Sequence, residues 1–301
     1  MDILITGATG LVGTYLVRLL QSRGHRIAFL TTDPAKTGSI PGAQGFLWNP
    51  AKGTIDVAAL KSAEVIVHLA GASIGKRWTR EYKNEIIKSR VASAALIFQS
   101  LSLAPHKVRH FVSASGIGIY PNSITKRYSE DFKGPAHGFT AEVVRQWEQA
   151  ADAFALINVG VAKVRTGLVL SQSGGALESL VRPVKLGLGA ALGSGKQVIS
   201  WVHVEDLASL YAFIIEHRLE GTYNAVSPEP VSNSVLTREI AGALNKPLWL
   251  PNVPAALLKM ALGEMSSLLL EGQFVESEKI TSHGFEFKYP AIRPALANLL
   301  A

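Results

Sequence analysis

The chain has 301 residues, 48% hydrophobic and 18% charged, with 30 Lys and Arg against 23 Asp and Glu for a formal net charge of +7. That composition supports one large α/β domain plus a smaller companion, and the lack of cysteine excludes disulfides, thiolate metal sites and a cysteine nucleophile. With no run of 18 apolar residues and no charged-then-apolar leader, a cytoplasmic protein is expected, neither secreted nor membrane-associated. The basic residues are scattered and no nucleic-acid-reading motif is present, so no nucleic-acid partner is expected. An anionic cofactor or small-molecule substrate accounts for the positive excess more economically.

The chain opens with MDILITGATGLVG. Asp2 to Thr6 reads as a strand with Ile3 and Ile5 on one face, and it runs into Gly7, Thr9, Gly10 and Gly13. A helical apolar repeat follows at Leu11, Tyr15, Leu16 and Leu19. Strand, glycine turn and helix form the geometry that receives a pyrophosphate, because glycines admit close backbone approach and the free N–H groups of the helix start point at the phosphates. The spacing is GxxGxxG, one residue longer than the usual dinucleotide fingerprint.

His25 to Thr31 forms a second strand. An Asp or Glu at its end bonds the ribose hydroxyls of NAD and repels the 2′-phosphate of NADP. Here Thr31 and Thr32 stand at that end, Asp33 follows one step late, and the two hydroxyls favour NADP with NAD as the alternative. Gln44 to Trp48 is a short third strand before an Asn49-Pro50 turn. Glu64 to Leu69 is a near-continuous apolar run, as in a parallel strand buried on both faces. It ends in Ala70-Gly71-Ala72, small enough for a cofactor to lie against the backbone. Strands separated by helices in this way predict a Rossmann-type doubly wound parallel sheet.

Between Lys76 and Arg90 stand six basic residues against Glu81 and Glu85. From Ile87 the apolar positions Val91, Ala94, Ala95, Phe98 and Leu101 follow helical spacing. Lys88 falls on the solvated face, whereas Lys83 and Arg90 fall at the edge of the buried stripe, where site and solvent remain equal alternatives. Val108 to Ser113 is the fifth strand, which puts Ser113 and Ser115 at the carboxyl end of the sheet, where α/β folds bind ligands. Gly138 to Phe154 reads as a helix and Ala162 to Leu170 as the sixth strand. After residue 170 glycines cluster and the elements shorten. The expected division is a nucleotide-binding domain over 1–170, with 201–224 returning to it, and a substrate-side subdomain over 171–200 and 225–301. Asn252 to Gly263 and Pro290 to Leu300 are expected helices.

TGATGLVG at 6–13, HLAGA at 68–72, RWT at 77–79, SRV at 89–91, SASG at 113–116, WE at 147–148, GSGKQVISWVHVEDL at 193–207, YNAVSP at 223–228 and LEGQFVESEKITSHGFEF at 270–287 together resemble one family. It is the extended short-chain dehydrogenase/reductases, and within them the atypical, epimerase-like NADP-binding branch with a small C-terminal domain, often labelled nucleoside-diphosphate-sugar epimerase. The resemblance implies cofactor contacts at Gly7, Gly10, Leu11, Val12 and Gly13, at Thr31 and Thr32, at Leu69 and Ala70, at Glu85 and Arg90, and around Val169. The branch usually carries Arg where this chain has Thr32.

The wider superfamily moves its proton with a Tyr-x-x-x-Lys pair, the lysine lowering the tyrosine's pKa, and with a serine one strand earlier. By the resemblance Ser115 holds the serine position, Phe139 the tyrosine position and Val143 the lysine position. Neither Phe nor Val can carry a proton, so Ser115, Tyr120, Lys83 and Arg90 are the groups left for chemistry, with Ser115 able to orient a carbonyl by hydrogen bonding. For Tyr120, packing as a half-buried aromatic is an equal alternative. His203 and Asp206 do not form a triad with Ser115, because no nucleophile elbow surrounds the serine; Asp206 reads as a helix-start residue complementing the dipole. Trp201 reads as packing. Two functions follow: an NADP-dependent oxidoreductase or epimerase-like enzyme on an unidentified small molecule, or a dinucleotide-binding protein that senses redox state without turnover.

Overall fold

The computed structural model describes residues 1–301. Its first half runs β1 (Asp2–Thr6), α1 (Leu11–Ser22), β2 (Arg26–Thr31), β3 (Ala43–Asn49), β4 (Thr54–Ile55), α2 (Ala58–Lys61), β5 (Val65–His68), α3 (Arg80–Ser102), β6 (His110–Gly116), β7 (Arg127–Tyr128) and α4 (Phe139–Asp152). Then follow β8 (Gly160–Thr166), β9 (Leu168–Leu170), α5 (Ala176–Lys185), β10 (Val198–Ile199), β11 (Trp201–His203), α6 (Val204–Glu216), β12 (Gly221–Ala225) and β13 (Val231–Ser232). The chain closes with α7 (Asn233–Ala243), α8 (Ala255–Leu262), α9 (Ser267–Leu270), β14 (Phe274–Val275), α10 (Glu278–Ser282) and α11 (Ile292–Leu300). No helix is long and apolar enough to cross a membrane.

The chain divides into two compact units. The first comprises Met1–Gly116, Gly138–Arg165 and Ala208–Tyr223 and holds most of an eight-stranded sheet in the order β12-β8-β6-β5-β1-β2-β3-β4. The strands β3, β2, β1, β5 and β6 pair in parallel, and the short β4 turns back antiparallel on β3. Chain order reverses between β1 and β5, the topological switch point outside whose strand ends doubly wound folds bind ligands. The expected doubly wound sheet is therefore present. All four residues of β5, Val-Ile-Val-His, are buried, as a strand covered on both faces requires. The expected single strand over 162–170 is instead two, β8 and β9, broken at Gly167. A Cβ there would lie 2.3 Å from the Ser200 carbonyl oxygen, so the chain bends where only glycine fits.

The long helix α3 begins at Thr79, whose side chain accepts from the Tyr82 amide, with Glu81 in the first turn complementing the dipole. On its inward face Ala94, Ile97 and Leu101 join Phe111, Phe154 and Ile66 in one apolar cluster, while Ile86 and Arg90 are also buried on this helix. The second unit comprises Ile117–His137, Thr166–Leu207 and Asn224–Ala301. Its core packs Leu177, Val181, Trp201, Leu236, Ile240, Leu296 and Leu299 from α5, β11, α7 and α11.

His68 at the end of β5 shows how tightly the first unit is specified. Its Nδ1 lies 2.8 Å from Thr6 Oγ1 and its Nε2 3.0 Å from Ser93 Oγ. Thr6 Oγ1 accepts from the Ala70 amide, so its own proton goes to Nδ1; Ser93 donates to the Ser89 carbonyl, so it accepts the Nε2 proton. The ring is held neutral, and burial drives its pKa down to about 4. Since 6.5 is the ordinary value, the unfolded chain takes up this proton first as pH falls, and stability drains away between pH 6.5 and about 4. By pH 4 the loss is about 3 kcal/mol. Urea unfolding of wild type and His68→Gln across this window is expected to show the extra acid sensitivity in wild type only.

Candidate functional site

The turn from β1 into α1 is built on glycine because nothing larger fits. Gly7 has φ +72°, and a Cβ on it would lie 3.0 Å from the Ala70 amide nitrogen and the Leu69 carbonyl carbon at the end of β5. A Cβ on Gly13 would lie 2.2 Å from the Gly7 carbonyl oxygen, so α1 rests directly on the turn. Gly10 is the N-cap residue of α1; no side chain caps the helix and no acidic residue stands in its first turn. Thr9 and Gly10 are exposed and Leu11 and Val12 half-buried, leaving the positive end of the helix open at the switch point.

At the end of β2, Thr31 is buried and its Oγ1 accepts from the Asp33 amide at 3.1 Å, while Thr32 is exposed. Asp33 directs a carboxylate oxygen to the Ala35 amide at 3.0 Å, capping the turn that follows. Its position one step late is thus explained by a structural duty, and Thr32 is the hydroxyl left facing solvent.

Along α3 the structure separates the three basic residues. Lys88 is exposed, Lys83 half-buried and Arg90 buried at 9% exposure. The Arg90 guanidinium has no carboxylate in a salt bridge. Its Nη1 donates to the carbonyls of Ile86 (2.9 Å) and Ala72 (3.1 Å), its Cζ lies 4.7 Å from the centre of the Trp147 ring, and its Nε is buried without a partner. Burial lowers its pKa to about 10. An uncompensated cation in this position is costly unless an anion arrives. Gly71 lies against it, for a Cβ on Gly71 would come within 3.0 Å of Cζ. Glu85 is exposed on the same helix. Leu69 and Ala70 are half-buried beside Gly7.

Phe139 opens α4 and Val143 is buried one turn on. The Phe139 ring meets Trp78 edge-on at 4.8 Å between centroids, and Lys83 Nζ stands 5.0 Å from its centre. A cation on α3 therefore flanks the first turn of α4. Ser113, buried, turns its hydroxyl to the Ala114 carbonyl. Ser115, also buried, donates instead to Glu148 Oε1 at 2.6 Å. Arg165 grips the same carboxylate with two bonds, Nε to Oε1 at 2.7 Å and Nη2 to Oε2 at 2.8 Å.

Sequence reading did not single out Glu148 and Arg165. The available signals were the WE pair in α4 and a buried-strand arginine, Arg165, two residues after Lys163 in GVAKVRT.

Two further candidates belong to the second unit. Tyr120 is 2% exposed, stacked on Tyr128, and donates to Asn224 Oδ1 at 2.8 Å, which anchors a core cluster with Val226 and Val275. Val169 lies in the middle of β9, paired with Val202 of β11. His203 accepts from the Glu205 amide and stacks on Tyr289. Asp206 does more than face a helix dipole, since its two oxygens receive the amides of Lys288 and Tyr289 and fasten the C-terminal segment. Trp201 is fully buried and donates to the Glu229 carbonyl.

The strand order and the glycine turn at the switch point define a Rossmann-type fold. Residues 3–226 match the NAD dependent epimerase/dehydratase family and residues 253–299 match a domain of unknown function, DUF1731, so the chain belongs to the NAD dependent epimerase/dehydratase family and to its epimerase-like short-chain dehydrogenase/reductase branch. It is 35% identical to an epimerase family protein of Staphylococcus epidermidis over 99% of this chain and 98% of the relative. It is 30% identical to mouse epimerase family protein SDR39U1 over the whole of both chains. Among solved structures, human SDR39U1 (isoform 2) with NADPH superposes with a TM-score of 0.87 at 29% identity, covering 100% of this chain and 99% of that one. A nucleoside-diphosphate sugar epimerase from Corynebacterium glutamicum gives 0.80 at 28% identity, over 100% of this chain and 58% of that one.

The glycine contacts set a graded expectation. Gly13→Ala must displace the Gly7 carbonyl and is expected to cost about 1–3 kcal/mol by overpacking. Gly10→Ala, whose Cβ would stand 3.2 Å from the same oxygen, is expected to cost less. Chemical denaturation of the two variants checks the order.

Proposed function

We propose that the protein is an NADP(H)-dependent, epimerase-like oxidoreductase acting on a small molecule, with NAD as the alternative cofactor. The observation that carries this reading is the glycine cradle between β1, α1 and β5, where a Cβ at position 7 or 13 would meet backbone and the helix end has no capping side chain. The buried, uncompensated Arg90 beside Gly71 supports it, and so does the NADPH in the structure of human SDR39U1. A nicotinamide dinucleotide supplies or removes hydride when bound.

In this reading the amides of Leu11, Val12 and Gly13, with Thr9 and Gly10 at the turn, bind the pyrophosphate. Thr32 and Thr31 border the ribose phosphate, Leu69, Ala70 and Gly71 keep the backbone open, and Arg90 neutralises negative charge. Phe139 and Val143 stand where the superfamily dyad would be, and neither ionises. Lys83, beside Phe139, is the group suited to supply a proton, and Ser115 contacts the reacting oxygen. Glu85 stays as an outer cofactor contact. The same two apolar residues favour a second reading, a dinucleotide-binding protein without turnover.

Calorimetric titration is expected to show tighter binding of NADPH than NADH, and Thr32→Asp to weaken NADPH by about tenfold by setting a like charge near the 2′-phosphate. NADH binding at least as tight as NADPH in wild type would reverse the cofactor preference. Phe139→Tyr is expected to place a phenol next to the Lys83 ammonium, ionising below the ordinary tyrosine range. Its rate with NADPH and an activated 1,2-diketone, followed at the nicotinamide absorbance, is expected to rise by a factor of about 10². No turnover in either form, with NADPH bound, supports the non-catalytic reading.

A further inference from the structure

Ser115 is fixed by a network that decides which way its one proton points. The Arg165 guanidinium holds Glu148 through both oxygens, and both Ser115 and Arg165 are buried, at 4% and 8% exposure. Burial pushes the Glu148 carboxyl up, but the Arg165 bonds and charge, with the Ser115 bond, outweigh it and hold the group below the usual carboxylate range. An ionised carboxylate only accepts, so the proton in the 2.6 Å contact is the serine's own. A hydroxyl carries one proton and two lone pairs. With the proton spent on Glu148, Ser115 offers lone pairs to a ligand. In parallel register Ser113 pairs with His68, so Ser115 stands two residues further, level with Ala70 at the strand ends.

We propose that Glu148 and Arg165 are positioning residues that make Ser115 a hydrogen-bond acceptor, so that the site selects the hydroxyl member of an alcohol–ketone couple over its carbonyl member. A ligand hydroxyl donates into the free lone pairs of Ser115, whereas a bare carbonyl oxygen meets lone pair with lone pair. A serine whose proton is free serves a carbonyl; this serine does not. The inference rests on the proposed function only in taking Ser115 to touch the substrate.

The exposed apolar residues Leu186, Leu188, Trp249, Leu257 and Met260 of the second unit have no occupant that the structure points to.

The test uses matched pairs, tetrahydropyran-4-ol with tetrahydropyran-4-one and lactate with pyruvate, titrated against the full chain and followed by saturation-transfer NMR. Wild type is expected to bind the alcohol of a pair at least about tenfold more tightly than the ketone. The double variant Glu148→Leu with Arg165→Met removes both charges together, which avoids stranding one of them, and is expected to bring the ratio to one or below by freeing the serine proton. Ser115→Ala is expected to bring the ratio near one, with no further change on adding the double variant. Ketone preference in wild type, a ratio indifferent to Glu148, or binding of neither member of either pair overturns the proposal.

If the double variant does not fold, carboxylate 13C NMR of the wild type decides. Glu148 is expected to titrate below the usual carboxylate range, with Ser115→Ala raising its titration point; titration in the ordinary range, unmoved by Ser115→Ala, overturns the proposal. NADPH titration on the same samples separates the two claims. Loss of NADPH binding with the alcohol preference intact counts against the cofactor reading alone.

Discussion

Much of the first unit follows from one steric fact: α1 lies so close to the turn after β1 that a β-carbon at Gly13 would overlap the Gly7 carbonyl oxygen. That contact fixes where the helix starts, keeps its first amides free of a side-chain cap, and sets the turn against the end of β5 through Gly7. The Thr6 hydroxyl extends the same constraint by accepting from the Ala70 amide while donating to His68. Two neighbouring strand ends, those of β1 and β5, and the start of α1 are thereby held together by one short chain of hydrogen bonds and by the absence of side chains.

Two buried arginines in this unit meet different fates. Arg165 has a full bidentate partner in Glu148, so its charge is spent inside the protein, and it orients a serine hydroxyl. Arg90 has two backbone carbonyls and an aromatic face but no carboxylate, and one of its nitrogens is left without a partner. Desolvation of an unpaired guanidinium is unfavourable, and such an investment is understandable where an anion completes the arrangement. The two arginines thus differ in whether a carboxylate answers their charge: Arg165 has one in Glu148, and Arg90 does not.

The second unit is held by different means. Its sheets are short two-stranded pieces, and its core depends on helices α5, α7 and α11 around Trp201. Buried polar groups fasten the loops between them. Asp206 receives two amides from the C-terminal segment, and Gln197 donates to the carbonyls of Leu192 and Leu269. Tyr120 takes part in the same kind of fastening through Asn224.

The sequence by itself determined the Rossmann-type sheet, the glycine turn and the family. Strand and helix periodicities are local, and a glycine that only glycine can replace leaves its mark at fixed spacing. It also placed Lys88 outside and Lys83 and Arg90 at the edge of the helical stripe, because helical spacing alone sets angular position. It did not tell whether those two cations were wetted or buried, did not pair Ser115 with Glu148 33 residues away, and ran β8 and β9 together. Only the tertiary structure decided these. Which partner a buried charge or hydroxyl finds depends on what the packing of separate strands and helices brings within about 3 Å, and that distance is not written in any local pattern.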